Sequence, residues 1–320
     1  MNPMEEDEIS EDIFEFNNEK NIIKKAKRHS YIRITLISGL VSIIGITFLI
    51  ILKLQITPFL LNKEILAKDA YYQVYGANSY LSPWNTDIAL IGSTATSTQY
   101  KLLNGHPVFK KLITLDTTPH ETYIESAPNK TFTYYGQNVM NFYHPKIDYE
   151  NVAHDDLLQN KTLDDKLFEL GISFDKDYTI SEINAMIPKG LTIQWYWLDT
   201  FSNEEISNMQ SSVQTDTKIS GYVFKEDEVI GIKTFSNTGE KYSNPTKEFV
   251  NSIQYLIENN RAYKTDMQVI LDSITTNKEL DKSKINIIGA VVVGNATTLS
   301  KLAKEPFVRA SSFGANIDSY

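Results

Sequence analysis

The longest apolar stretch lies near the start of the chain. Between Arg33 and Lys53, residues 34–52 carry no charge, and the polar residues among them are only Thr and Ser. At about 1.5 Å of rise per residue this makes roughly 28 Å of helix, close to the ~30 Å hydrocarbon core of a bilayer. Apolar residues on every face over such a length predict a transmembrane helix over 34–52 rather than a soluble protein's core helix. A cleaved signal peptide fits less well, because residues 1–33 precede the run and KLQITPFLLNKEIL after it offers no small-x-small cleavage site. The expectation is a retained signal anchor.

A second apolar pattern precedes the span. Ile9, Ile13, Phe16 and Ile23 fall at spacings of four, three and seven, one stripe of a helix, with Phe14 and Ile22 beside it. The other faces are acidic. So charged a segment is at best marginally helical alone, and the pattern predicts an amphipathic helix in a tail over 1–33 that docks into a partner's groove. Acidity favours a basic partner. The plainer alternative is a solvated leader that does no more than fix topology.

Charge near the span sets its orientation. Residues 20–33 hold Lys20, Lys24, Lys25, Lys27, Arg28 and Arg33 with no acid, while the other flank opens with Lys53, Lys63 and Lys68. The positive-inside bias puts the tail in the cytoplasm and residues 53–320 outside the cell membrane, with Lys24, Lys25, Lys27, Arg28 and Arg33 as topology residues.

Beyond the span, in the stretch 53–160, residues 54–155 alternate short apolar stretches with turn signals such as NSYLSPWN and LLNGHP, and DIALIGSTATSTQYKLL reads as extended. A mainly β membrane-proximal domain is expected there, with the polar HDDLLQNKTLDD as a linker or cap. From residue 161 the pattern sharpens. KLFELGISF alternates as a strand, DKDY turns, and TISEINAMI starts a helix with Thr179 as N-cap and Glu182 completing a capping box. LTIQWYWLD follows as a strand with Leu191, Ile193, Trp195 and Trp197 on one face. Residues 246–260 place Phe249, Ile253, Leu256 and Ile257 at helical spacing, and a second helix is expected over 264–275. KINIIGAVVVG reads as a central strand, and ATTLSKLAKEPFVRASSFGA as a short helix leading into a strand. The fold class is α+β: tail, one transmembrane helix, a mainly β part, and over 161–320 an α+β sandwich with helices on one face of a sheet.

Candidate chemistry is sparse. The formal net charge is −9, of which −7 falls beyond the span, an argument against binding nucleic acid by bulk electrostatics. There is no cysteine, so disulfides and thiolate metal sites are excluded. His106, His120, His144 and His154 show no metal-ligand spacing, and His154 beside Asp155 and Asp156 is the one candidate cluster, expected to be a surface loop. STATST lacks a nucleophile elbow, VVVGNATT lacks a dinucleotide fingerprint, and WYW reads as core with Tyr196 exposed. No catalytic residue, metal or cofactor is expected.

A resemblance adds to this reading. The short tail, single span and FELGISFDKDYTISEINAMIPKGLTIQWYWLDTF resemble the Gram-positive membrane-anchored sigma-factor regulators, the anti-sigma factors. GAVVVGNATTLSKLAKEPFVRASSFGANIDSY is similar to the end of that family's C-terminal domain, and FYHP at 142–145 to its N-terminal part. The resemblance implies a non-enzyme whose tail holds an extracytoplasmic-function sigma factor until an envelope signal releases it. Many anti-sigma factors use a larger cytoplasmic domain with a zinc-binding His and Cys set. This chain is not of that type, so a second membrane protein that shares the task stays open. The rivals are a membrane-tethered envelope enzyme and an envelope assembly protein.

Overall fold

The computed structural model describes residues 3–89, 92–116, 133–134, 137–149, 155–159, 166–211, 213–214, 219–277 and 279–318. The chain divides into two compact units, Met1–Phe59 and Leu60–Tyr320. Helix α1 is Pro3–Val74. Within the first unit it is long and apolar enough to cross a membrane, and none of its most apolar stretch is buried.

Residues 54–74 are helical, where short apolar stretches alternating with turns were expected, and Pro58 lies inside the helix. Two stripes explain this. Leu61, Ile65 and Tyr72 recur at helical spacing and bury against one set of strands, while Ala67, Ala70 and Val74 bury against another part of the second unit. The helix ends where Gly76 and Asn78 take φ of 85° and 48°, a left-handed backbone that these two residue types tolerate best.

Strands β1 (Tyr80–Leu81), β2 (Asn85–Ile88), β3 (Ser93–Leu103) and β4 (His106–Asp116) form an antiparallel sheet. Asn104 and Gly105, both with positive φ, close the β3–β4 hairpin, as LLNGHP predicts. Next come β5 (Asn141–Phe142) and the short α2 (Asp156–Gln159). Of the polar stretch expected to link or cap, His154 and residues 160–165 lie outside the described residues.

The remaining elements are β6 (Lys166–Tyr178), α3 (Ile180–Met186), β7 (Thr192–Leu198), α4 (Asn203–Ser211), β8 (Phe224–Lys225), β9 (Gly231–Lys233), α5 (Pro245–Asn259), α6 (Lys264–Ile274), β10 (Ile287–Asn295), α7 (Ala296–Leu299) and β11 (Val308–Asp318). Five of the strands form one antiparallel sheet in the order β9-β7-β10-β6-β11. The apolar run IIGAVVVGN thus occupies the centre, buried on both faces. β6 continues through DKDY, so the expected turn begins only at Thr179, where the capping box is present: Thr179 Oγ1 accepts from Glu182 N at 3.3 Å and Glu182 Oε2 accepts from Thr179 N at 2.8 Å.

Helices α3, α5 and α6 cover one face, burying Ile183, Phe249, Ile253, Leu256, Met267 and Ile270 against Leu170, Ile172, Ala290 and Val292. The other face buries Trp195, Trp197 and Val291 under Phe142, Tyr143, Ile147, Tyr149 and Phe224. A register shift in the β7–β10 pairing separates Trp195 from Ile193. Leu191 and Ile193 therefore pack on the helix side and the two tryptophans on the other, which corrects the expectation of one shared face. Tyr196 is buried rather than exposed, and its hydroxyl donates to Asn184 Oδ1 at 2.9 Å.

Candidate functional site

The tail residues singled out in the sequence, Ile9, Ile13, Phe14 and Phe16, all lie on the α1 backbone, with side chains outside what is described. Ile22 and Ile23 are exposed, as are Lys24, Lys25, Lys27, Arg28 and Arg33.

The second unit holds a buried charge cluster that sequence reasoning missed. Lys101 on β3 bridges Glu169 on β6 at 2.7 Å and Glu226 at 2.6 Å; Lys110 on β4 bridges Glu226 at 2.7 Å and Asp227 at 2.5 Å. Both lysines and both glutamates are buried. Asn78 Nδ2 donates to Glu169 Oε1 at 2.7 Å, the Ala315 amide donates to Glu169 Oε2 at 2.9 Å, and the Met140 amide donates to Glu226 Oε2 at 3.0 Å. A Cβ on Gly314 would lie 2.2 Å from Glu169 Oε2, so glycine makes room for the carboxylate there. Burial alone would push the Lys101 ammonium down, but Glu169 and Glu226 outweigh it and hold it above its ordinary value. Glu226 is likewise held below the usual carboxylate range: burial opposes its charge, and Lys101 and Lys110 prevail.

Next to this cluster, residues 76–81, which lead from α1 through β1, form a wholly buried strap. Gly76 N donates to Val229 O at 3.0 Å, Ala77 N to Glu226 O at 2.8 Å, and the Ser79 carbonyl accepts from Lys233 Nζ, which also lies 4.7 Å from the centre of the Tyr80 ring. Burial depresses the Lys233 pKa to about 7, with Asp69 opposing weakly.

The FYHP segment is fixed by another missed residue. Arg309 on β11 donates to the carbonyls of His144 at 3.0 Å, Pro145 at 2.5 Å and Ile147 at 2.7 Å, and its guanidinium lies 5.5 Å from the Tyr149 ring centre. The buried His144 sits 3.3 Å from Asp199, whose carboxylate is held low: burial raises it, and His144 and Lys146 outweigh that. The fork of donors is what arginine offers and lysine does not. Arg309→Lys is expected to lower stability by about 2 kcal/mol, and trypsin should then cut after Lys146 sooner than in the parent.

Asp155 and Asp156 are used structurally. Asp155 Oδ1 accepts from the Ser311 hydroxyl and Asp156 Oδ2 from the Phe313 amide at 2.9 Å, both on β11. His154 and His120 lie outside the described residues. A pocket of about 650 Å³ opens between the starts of α3 and α5, lined by Thr179, Ser181, Asn184, Asn244 and Leu280, with Lys282 as its one charged side chain. It offers hydrogen bonds to a polar ligand and no paired acid and base.

Residues 161–315 match the family model described as sigma factor regulator C-terminal. The match supports a sigma factor regulator family and a sigma-factor regulatory role, with a sigma factor as the partner that the domain implies. No curated protein and no solved structure matches the chain.

Proposed function

We propose that the chain is a single-pass membrane anti-sigma factor. Its tail holds an extracytoplasmic-function sigma factor on the cytoplasmic side, and its second unit lies outside and receives an envelope signal. The match over residues 161–315 carries this reading. Support comes from an apolar helix long enough to span a bilayer and from the basic residues 20–33 on one flank of it. The helical stripe of Ile9, Ile13, Phe14, Phe16 and Ile23 suits a groove on a folded partner, and acidic residues around it suit a basic, DNA-binding one. The role is non-enzymatic: binding and release do the work. A second membrane protein that shares the task is compatible with this reading.

The test is a sigma-dependent reporter in the host. Phe16→Asp in the full chain is expected to raise reporter output to about the level seen when the protein is deleted, because a charge placed in a hydrophobic contact typically removes several kcal/mol of binding. Insertion is checked by protease protection. Unchanged output from a correctly inserted variant would mean that the stripe does not hold the sigma factor.

A further inference from the structure

The β3–β4 hairpin has two unlike attachments inside the second unit. Toward α1 they are apolar: Leu61, Ile65 and Tyr72 bury against Ala95, Ile113 and Leu115. Toward the five-stranded sheet a small apolar joint of Leu103, Val293 and Ala315 accompanies the charge cluster. Asn78, bonded to Glu169, and Tyr80, under Lys233, each leave a polar atom without a hydrogen-bond partner among the described residues, Asn78 Oδ1 and the Tyr80 hydroxyl, and so do both side-chain amide atoms of Gln99, two residues before Lys101 on β3; all three residues are fully buried.

These observations have opposite consequences for the two attachments. Apolar burial favours the closed form in proportion to area. A buried ion cluster roughly balances its own desolvation, and it needs every member in place. Orphaned polar atoms disfavour closure outright, because water would satisfy them on opening. The hairpin is thus held firmly on the helix side and narrowly on the sheet side.

We propose that this seam is a conformational joint: the β3–β4 hairpin undocks from the five-stranded sheet as a body while staying on α1, and the charge cluster sets its docked position. A half-open hairpin would strand Glu169 or Glu226 without its lysine, so the joint has two positions and no stable intermediate. This inference concerns the fold and stands whether or not the tail holds a sigma factor.

The test is hydrogen exchange read by mass spectrometry on the full chain in detergent micelles. Residues 93–116 are expected to exchange through an opening that leaves residues 287–295 protected. Gln99→Leu removes two orphaned atoms and should slow hairpin exchange by about tenfold, with the central strand unchanged. Lys101→Met should do the reverse, accelerating the hairpin at least about tenfold relative to the central strand. If hairpin and central strand exchange at one common rate and shift together, the joint is refuted. Should Lys101→Met not fold, Gln99→Leu decides alone: a hairpin unchanged, or faster, overturns the proposal.

Discussion

Replacing Glu226 by Gln is expected to destabilise the second unit by about 3–5 kcal/mol, seen as a lower urea midpoint in tryptophan fluorescence. Trp195 and Trp197 are both buried in that unit and report its packing. Glu226 neutralises Lys101 and Lys110 together, at 2.6 and 2.7 Å, and accepts the Met140 amide as well. Glutamine keeps the volume but leaves the two buried ammonium groups with Glu169 and Asp227 alone. Because Glu226 is held below its ordinary carboxylate range, its ionised form stabilises the fold above the unfolded pKa, and this contribution is lost as pH falls through the lowered folded value. The variant should therefore lose part of the acid sensitivity of the parent. Lys282→Met is the control: Lys282 is exposed, and its removal should shift the midpoint little. An equal midpoint for Glu226→Gln and parent would show that the cluster contributes no net stability.

The fold was legible where one physical signal dominated. The near-continuous apolar run in KINIIGAVVVG reads as a central strand, and residues 287–294 lie buried at the sheet centre. Thr179 and Glu182 announced their capping box because both partners sit within one turn. The Asn-Gly turn of the hairpin was equally local. Failures came where tertiary contact overrode a local sign. Residues just beyond the span were expected to alternate apolar stretches with turns, but Leu61, Ile65 and Tyr72 on one side and Ala67, Ala70 and Val74 on the other keep the helix going to Val74. The bulge that parts Ile193 from Trp195 depends on pairing with β10 and has no mark in LTIQWYWLD.

The charged seam was barely visible. Glu169 is a lone carboxylate inside the apolar LFELGISF, a pattern that asks for a buried partner. Lys101 in QYKLL gives a fainter version of the same sign. Glu226 and Asp227 sit in KEDE, which reads as a solvated turn, and nothing short of the fold brings residue 101 to residue 226. Arg309 likewise meets the FYHP segment across more than 160 positions of sequence. Such contacts are set by topology, and a single sequence offers no spacing from which to infer them.

The second large effect expected is a gain. Lys233 is buried with its ammonium against the Ser79 carbonyl and the Tyr80 ring, and its pKa is depressed to about 7 from an ordinary value of 10.5. Between these two values the unfolded chain holds a proton that the folded chain lacks, so stability rises with pH across this window. Below about pH 7 both states are protonated, and the full penalty of burying the charge applies, roughly 5 kcal/mol at 1.36 kcal/mol per pKa unit. Lys233→Met keeps most of the stem and removes the charge. It is expected to raise the unfolding midpoint at pH 6.5 by several degrees, and to flatten the stability profile between pH 7 and 10. Above about pH 10 buried tyrosines act in the opposite sense: the Tyr80 and Tyr149 hydroxyls are pushed up by burial, so the unfolded state then loses protons that the folded state keeps. The comparison therefore belongs below that limit. A Met variant that is no more stable than the parent at pH 6.5 would show that the bond to the Ser79 carbonyl and the Tyr80 face offset the burial of the charge. Lys233 would then be a pin that holds the strap, rather than a strain left in the core beside the seam.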